Sequence, residues 1–266
     1  MLVRAYAKIN WSLRITGKRT DGFHDLETLF QTISLYDTLT FAESDHLSLT
    51  CNDPSIPSDE RNLVLRAART LDAPPVAITL RKEIPSGGGL GGGSSDAAAT
   101  LVTLSTMFGI SRPLDDIALS LGSDVPFFLA GGTAYATGRG EILTPMPRLA
   151  GIPLLLLLPR ERVSTARAFG MLQRFSPPLG IDRYRAMIDG DLLSHAAELV
   201  NDFEEPIFAM LPGLGALKTR LREAGAAWAA MSGSGSTIVG AFRTIAERDA
   251  ARERFADVKA VSAETI

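Results

Sequence analysis

The sequence predicts an α+β protein of two domains, and three observations carry that prediction. A strictly alternating strand opens the chain, a glycine loop leads into a helix of small residues, and a loop-rich stretch near residue 150 is followed by a new apolar strand. From Val3 to Ile15, the residues Val3, Ala5, Ala7, Ile9, Trp11, Leu13 and Ile15 fall on one face, and Arg4, Tyr6, Lys8, Asn10, Ser12 and Arg14 on the other. One long amphipathic strand is expected there. On its polar side Lys8 and Asn10 lie about 7 Å apart on a rigid element, close enough to share a ligand.

Strand-like runs follow at 27–35, 37–43 and 46–51, then a helical pattern from Asn62 to Leu71, giving a β-rich first part of antiparallel character. Residues 76–81 read as a strand. The glycine loop comes next, then a helix from Ser94 to about Phe108 capped by serine, and a second helix from Pro113 to near Leu121. Residues 132–143 read as a hairpin. Loop residues from Pro145 to Gly151 then mark a boundary, which divides the chain into domains at 1–150 and 151–266. In the second half the pattern predicts helices at 163–174, 181–200 and 206–223, and strands at 154–158, 227–231 and 236–242. A helix at 245–256 and a short strand at 257–262 close the chain. Strands with helices on one face give an α+β sandwich in each half.

The 266 residues are enough for one large or two modest cores, and 45% hydrophobic with 21% charged residues excludes wholesale disorder. The net charge of −3, without any basic cluster, argues against a nucleic-acid partner. The N-terminus MLVRAYAKIN has no apolar stretch of secretory type, and the run IPLLLLLP is far short of the roughly 20 residues that span a bilayer. No membrane partner is expected. Cys51 is the only cysteine, which rules out an internal disulfide and fits a reducing cytoplasm. No obligatory protein partner is evident.

Six glycines occupy seven positions in Pro85-Ser-Gly-Gly-Gly-Leu-Gly-Gly-Gly-Ser-Ser95. Glycines let successive N–H groups converge, and the following helix end adds partial positive charge, so the segment suits a polyphosphate. Gly87, Gly89 and Gly92 satisfy GxGxxG, but the acidic residue that a dinucleotide fold places after a second strand is missing. Gly88 to Gly93 satisfies GxxxxG, yet Ser94 stands where a Walker loop has lysine. Charge on a bound phosphate must be offset from elsewhere, a role open to Lys8. Asp124, just before a proline-started apolar helix, reads either as a helix cap or as a base for a hydroxyl proton.

Three motifs thus stand in order: AKIN, PSGGGLGGGSSDAA and MSGSGST. In that order they resemble the superfamily of galactokinase, homoserine kinase, mevalonate kinase and phosphomevalonate kinase. Within it, AKINWSLRITGKRTDGFHDLETLF, IPSGGGLGGGSSDAA and LGSDVPFFLAGGTAYATGRGE look like the branch that phosphorylates 4-diphosphocytidyl-2-C-methyl-D-erythritol in non-mevalonate isoprenoid synthesis. The likeness covers most of the chain and is strongest over 5–36 and 84–145. It implies a two-domain fold with ATP over the glycine loop, substrate in the cleft between domains, and transfer of the γ-phosphoryl group to a tertiary hydroxyl, with Mg²⁺ on the nucleotide.

By the same resemblance Lys8 and Asp124 form the catalytic pair, with Lys8 keeping Asp124 ionised and offsetting phosphoryl charge. Pro85, Gly87, Gly88, Gly89, Gly91, Gly92, Gly93, Ser94 and Ser95 hold the nucleotide, with Asn62 close by; as read from the residues alone, Asn62 is equally a helix cap. Asn10, Phe23 and His24 match the cytidine-diphosphate pocket. Phe23 replaces the usual tyrosine and keeps its stacking face, while His24 can offer a donor and an acceptor to a base edge. The family often places a second aromatic opposite, near Leu199 here, where this sequence has an aliphatic. The Ser232–Ser236 motif matches a loop near the phosphates, though alone it would pass for a hairpin turn. The metal ligands are unassigned.

Three other readings compete. A superfamily kinase for homoserine or a mevalonate derivative would have no use for the DGFH segment. A non-catalytic nucleotide-binding regulator would have little use for Asp124 beside Lys8. A nicotinamide dehydrogenase rests on the GxGxxG coincidence alone.

Overall fold

Long alternating segments at the start of the chain become two long strands in a computed structural model that describes residues 1–266. These are β1 (Leu2–Lys18) and β2 (His24–Glu43). The chain forms two compact units that are not consecutive stretches. Unit 1 holds residues 1–7, 35–86 and 91–131; unit 2 holds 8–34, 87–90 and 132–266, so the composition change near residue 150 lies inside unit 2.

In unit 1 the end of β2 pairs antiparallel with β4 (Val76–Arg81), from Thr38↔Arg81 to Glu43↔Val76. β3 (Ser48–Cys51) runs parallel to β4, which departs from the antiparallel character read from the sequence. The two expected runs at 27–35 and 37–43 are one strand. Asp37 does not break it, because its buried carboxylate accepts the N–H groups of Glu83 and Ile84 at 2.6 and 2.8 Å. Four helices cover this sheet: α1 (Leu63–Thr70), α2 (Gly92–Phe108), α3 (Asp115–Leu121) and α4 (Val125–Ala130). Buried Ala97 and Ala98 let α2 approach α1 closely, with Leu39, Phe41, Leu65, Ile78, Leu101 and Leu104 filling the core.

Unit 2 contains a four-stranded antiparallel sheet in the order β10 (Lys259–Glu264), β7 (Pro153–Leu158), β9 (Ile238–Ala241), β8 (Trp228–Met231). Every residue of β7 is buried, as its unbroken leucine run requires of a strand covered on both faces. The hairpin expected at 132–143 forms as β5 (Thr133–Thr137) and β6 (Ile142–Pro145), and β5 pairs with the first half of β2.

The helices of this unit are shorter than their periodicity predicts. The stretch 163–174 gives only α5 (Thr165–Gly170), and 181–200 gives α6 (Ile181–Asp189) and a 3₁₀ turn at Leu192–His195, interrupted at Gly190. The stretch 206–223 is two helices, α7 (Glu204–Met210) and α8 (Pro212–Glu223), because Pro212 lacks the N–H that would continue the first and instead starts the second. α9 (Ile245–Arg252) opens with a capping box of Thr244 and Glu247. Leu155, Leu157, Leu214, Leu221, Ile238 and Phe242 are at the centre of the core.

Candidate active site

In the middle of β1 the polar face is buried as deeply as the apolar face. Lys8, Asn10 and Ser12 are 4%, 3% and 0% exposed. An ammonium group out of water needs partners, and Lys8 Nζ donates to Asn10 Oδ1 at 2.8 Å and lies 5.0 Å from the centre of the Phe30 ring. Asn10 is a junction: Oδ1 also accepts the Gly233 N–H at 3.1 Å, and Nδ2 donates to Thr28 Oγ1 at 2.7 Å. Its oxygen is therefore committed inside the protein, and it fixes both Lys8 and the Ser232–Ser236 motif.

Asn201, which the sequence reading passed over, holds the same motif from another side. Its Nδ2 donates to Met231 O at 2.7 Å and Gly233 O at 2.8 Å. The motif then meets the glycine loop directly. Ser232 Oγ donates to Gly89 O at 2.9 Å, and the Thr237 N–H donates to Gly88 O at 3.2 Å. Two glycine-rich segments, far apart in sequence, thus form one backbone cradle.

Gly87, Gly89 and Gly91 have φ of +67°, +76° and +71°. This repeated left-handed backbone, on alternate residues, favours glycine. α2 begins at Gly92 with Gly91 as its cap, so Ser94 is inside the helix and not its N-cap. The left-handed Gly91 makes the entry turn that a capping serine would otherwise make. Ser95 is buried, and its hydroxyl donates to Tyr6 O at 2.6 Å. Pro85 and Ser86 lead into the loop from β4.

Lysine is absent from the Walker position, but Lys82 comes close to the loop from the end of β4. A Cβ on Gly92 would be 3.0 Å from Lys82 Nζ. This ammonium is bound to two buried carboxylates, Asp37, and Asp96 at 2.8 Å. Asp37 also accepts two backbone N–H groups, whereas Asp96 Oδ1 has no partner. Burial first, with Asp37 nearby, pushes the Asp96 carboxyl up to about 7 against the pull of Lys82. A lysine three residues ahead of the proline, and an acid five residues into the helix, were the signals in the sequence.

Asn62 is the cap of α1, as one of its two readings had it. Oδ1 accepts the Val64 N–H at 2.9 Å, and Nδ2 donates to Pro57 O at 2.8 Å. Asp124 occupies the N-cap position of α4, yet its side chain makes no capping bond to that helix. The reading of Asp124 as a helix cap loses its physical support.

Phe23 is 50% exposed, with the Arg139 guanidinium 4.4 Å from its ring centre. His24 stacks on Phe169, with ring centres 4.8 Å apart and planes 21° apart, and Phe175 lies 6.1 Å away at a tilt. Burial, and then the charge of Lys18, hold the His24 imidazole below its ordinary value. Both causes favour the neutral ring, which has one donor and one acceptor nitrogen. The aromatics beside His24 are Phe169 and Phe175, not a residue near 199; Leu199 is a core residue whose carbonyl accepts from Trp228 Nε1. Two phenylalanines six apart around a short helix were the available signal.

Residues 62–132 match the GHMP kinases N terminal domain, and residues 184–260 match the GHMP kinases C terminal domain. A 4-diphosphocytidyl-2-C-methyl-D-erythritol kinase of Chlorobium luteolum is 43% identical over 95% of this chain and 92% of its own length. One from Chlorobium phaeobacteroides is 42% identical over 95% and 93%. A crystal structure of 4-(cytidine 5'-diphospho)-2C-methyl-D-erythritol kinase superposes with a TM-score of 0.88 at 34% identity, covering 100% of this chain and 99% of the other.

Proposed function

We propose that this chain, which belongs to the family of 4-diphosphocytidyl-2-C-methyl-D-erythritol kinases within the GHMP kinases, phosphorylates the tertiary hydroxyl of that compound's methylerythritol moiety with ATP. In this reaction the hydroxyl oxygen bonds to the γ-phosphorus as the bond to the bridging oxygen of ADP breaks. The observation that carries the choice of acceptor is His24 held flat against Phe169, next in sequence to half-exposed Phe23. A ring with one donor and one acceptor, set among aromatics, suits the edge and face of a pyrimidine.

The nucleotide phosphates are assigned to Pro85, Gly87, Gly88, Gly89, Gly91, Gly92, Gly93, Ser94 and Ser95. Glycine backbone N–H groups and the start of α2 supply the positive end of the peptide dipoles. Asn62 contributes by fixing α1 through its cap. Asp124 accepts or orients the hydroxyl proton, and Lys8 offsets the charge that builds on the phosphoryl oxygens. Asn10, Phe23 and His24 belong to the acceptor pocket. Residues 1–150 supply the ATP-binding part, and residues 151–266 complete the acceptor pocket.

The chain gathers no group of three or more His, Cys, Asp or Glu side chains that could hold a metal. Mg²⁺ on the nucleotide, as the family resemblance implies, would lower the charge on the transferring group, and its protein ligands are unassigned. No helix is long and apolar enough to cross a membrane, and the reading is of a cytoplasmic enzyme of small molecules without nucleic-acid, membrane or obligatory protein partners.

The test is ADP release with Mg·ATP and a panel of acceptors comprising the cytidine-diphosphate-linked methylerythritol, homoserine and mevalonate. Release with the first alone is expected. Release with homoserine or mevalonate in its place would overturn the assignment.

A further inference from the structure

The acceptor pocket proposed above leaves one buried carboxylate unexplained. Glu27 lies on β2 three residues beyond His24 and is 1% exposed. Its Oε1 accepts the Leu179 N–H at 2.7 Å, and its Oε2 accepts the Gly180 N–H at 2.9 Å and the Tyr135 hydroxyl at 2.8 Å. All three donors are neutral. A carboxylate is costly to take out of water unless its lone pairs are filled in this way, and neither phosphate binding nor proton transfer uses it.

Two of the three donors belong to the segment between α5 and α6. Residues 172–180 have no regular secondary structure, and they carry Phe175, a half-exposed ring beside His24. Just past that ring, the Ser176 N–H donates to Ile15 O at 2.9 Å and its hydroxyl to Asp202 Oδ1 at 2.8 Å. Glu27 thus fixes the far end of the segment, at Leu179 and at Gly180, the residue that caps α6. Burial, and then the bond to Glu27, push the Tyr135 phenol up, so it stays a donor.

We propose that Glu27 is a positioning residue for the pyrimidine acceptor: its carboxylate clamps Leu179 and Gly180, and so holds Phe175 in the aromatic wall next to His24. This rests on His24 reading the base. Glutamine fills the same volume but has one acceptor oxygen, so its amide nitrogen must face one of the two loop N–H groups and that bond is lost.

The experiment compares Glu27→Gln and Tyr135→Phe in the full chain, by steady-state kinetics with both substrates and by hydrogen exchange of 172–180 without ligand. Glu27→Gln should raise KM for the acceptor about five- to tenfold, the scale of one lost hydrogen bond. KM for ATP should hold, kcat should change far less than KM for the acceptor, and exchange in 172–180 should speed up. Tyr135→Phe keeps both loop bonds and should change neither KM. If Glu27→Gln does not fold, Glu27→Asp, which keeps the charge and shortens the reach, is read by the same criteria. Unchanged exchange would show that Glu27 does not hold the segment. Faster exchange with an unchanged acceptor KM, or an equal rise in both KM values, would show that the clamp does not serve this pocket. Exchange needs no substrate, so a wild-type chain that fails to phosphorylate the acceptor would count against the proposed activity, while the clamp is judged by exchange alone.

Discussion

Adding one methyl group at Gly89 tests whether the two glycine segments form a single cradle. A Cβ built there would be 1.9 Å from Ser232 O, 2.9 Å from Ser232 C and 3.2 Å from Gly235 O. The first distance is roughly 1.5 Å short of ordinary contact, and all three neighbours are backbone atoms, which cannot rotate away as a side chain can. The left-handed φ of +76° adds a second cost. An alanine in that conformation costs roughly 1–2 kcal/mol, and overpacking typically another 1–3, so Gly89→Ala should destabilise by about 2–5 kcal/mol, or else part the loop from Ser232. Either outcome breaks the bonds from Ser232 Oγ to Gly89 O and from the Thr237 N–H to Gly88 O, which shape the phosphate cradle. The assay pairs thermal denaturation with ATP titration. A loss of ATP affinity of about tenfold or more is expected where the variant still folds. Gly17→Ala is the control, because its added Cβ meets nothing within 4 Å and its φ is not left-handed; it should melt like the parent. A Gly89→Ala variant with unchanged melting and unchanged ATP affinity would refute the single cradle.

The other expectations can be checked with similar tools. Asp124→Asn keeps volume and removes charge, so turnover should fall by about 10² to 10⁴ with both substrates still bound; near-normal steady-state turnover would remove Asp124 from the mechanism. Phe23→Ala should weaken acceptor binding by about 1–3 kcal/mol through lost stacking, with ATP binding unaltered by calorimetry; an effect on ATP alone would place Phe23 at the wrong ligand. Asp96 has a folded carboxyl raised to about 7, so between about pH 4 and 7 the folded state holds the extra proton and stability falls as pH rises. Asp96→Asn should flatten that slope in urea melts taken across the window, and a slope unchanged by the substitution would place the proton elsewhere. Lys82→Met leaves Asp37 and Asp96 buried without their cation and should cost about 3–5 kcal/mol; a variant as stable as the parent in urea would show that Lys82 does not compensate them.

The parts of this site legible in the sequence are those whose physics is local. The glycine run before a helix, the strand alternation around Lys8, and the hairpin at 132–143 each depend on neighbours a few residues away, and each forms. Local pattern misled where it could not tell one cause of polarity from another. Alternation assigns Lys8, Asn10 and Ser12 to a polar face, but it cannot distinguish a face turned to water from one turned into a site, and here all three are buried. Helical period likewise ran through Leu211, although Pro212 splits the stretch into α7 and α8.

Illegible altogether were the contacts that set side chains from distant segments against each other. Glu27 meets Leu179 across 152 residues, and Asn10 meets Gly233 across 223. In the sequence, Glu27 is one acid in a strand and Phe175 one aromatic in a polar loop. A carboxylate that is buried only because remote backbone donors fill its lone pairs leaves no periodic trace, since its cost and its compensation lie in different parts of the chain. Its neighbours on β2 still narrow the choice. Glu27 falls between His24 and Gln31 on a strand whose residues 27–33 are all buried, and an acid in such a run must meet a donor, a cation or a proton. That condition is readable from sequence once burial is known, and it directs mutagenesis to Glu27 ahead of the exposed acids Asp21 and Asp182.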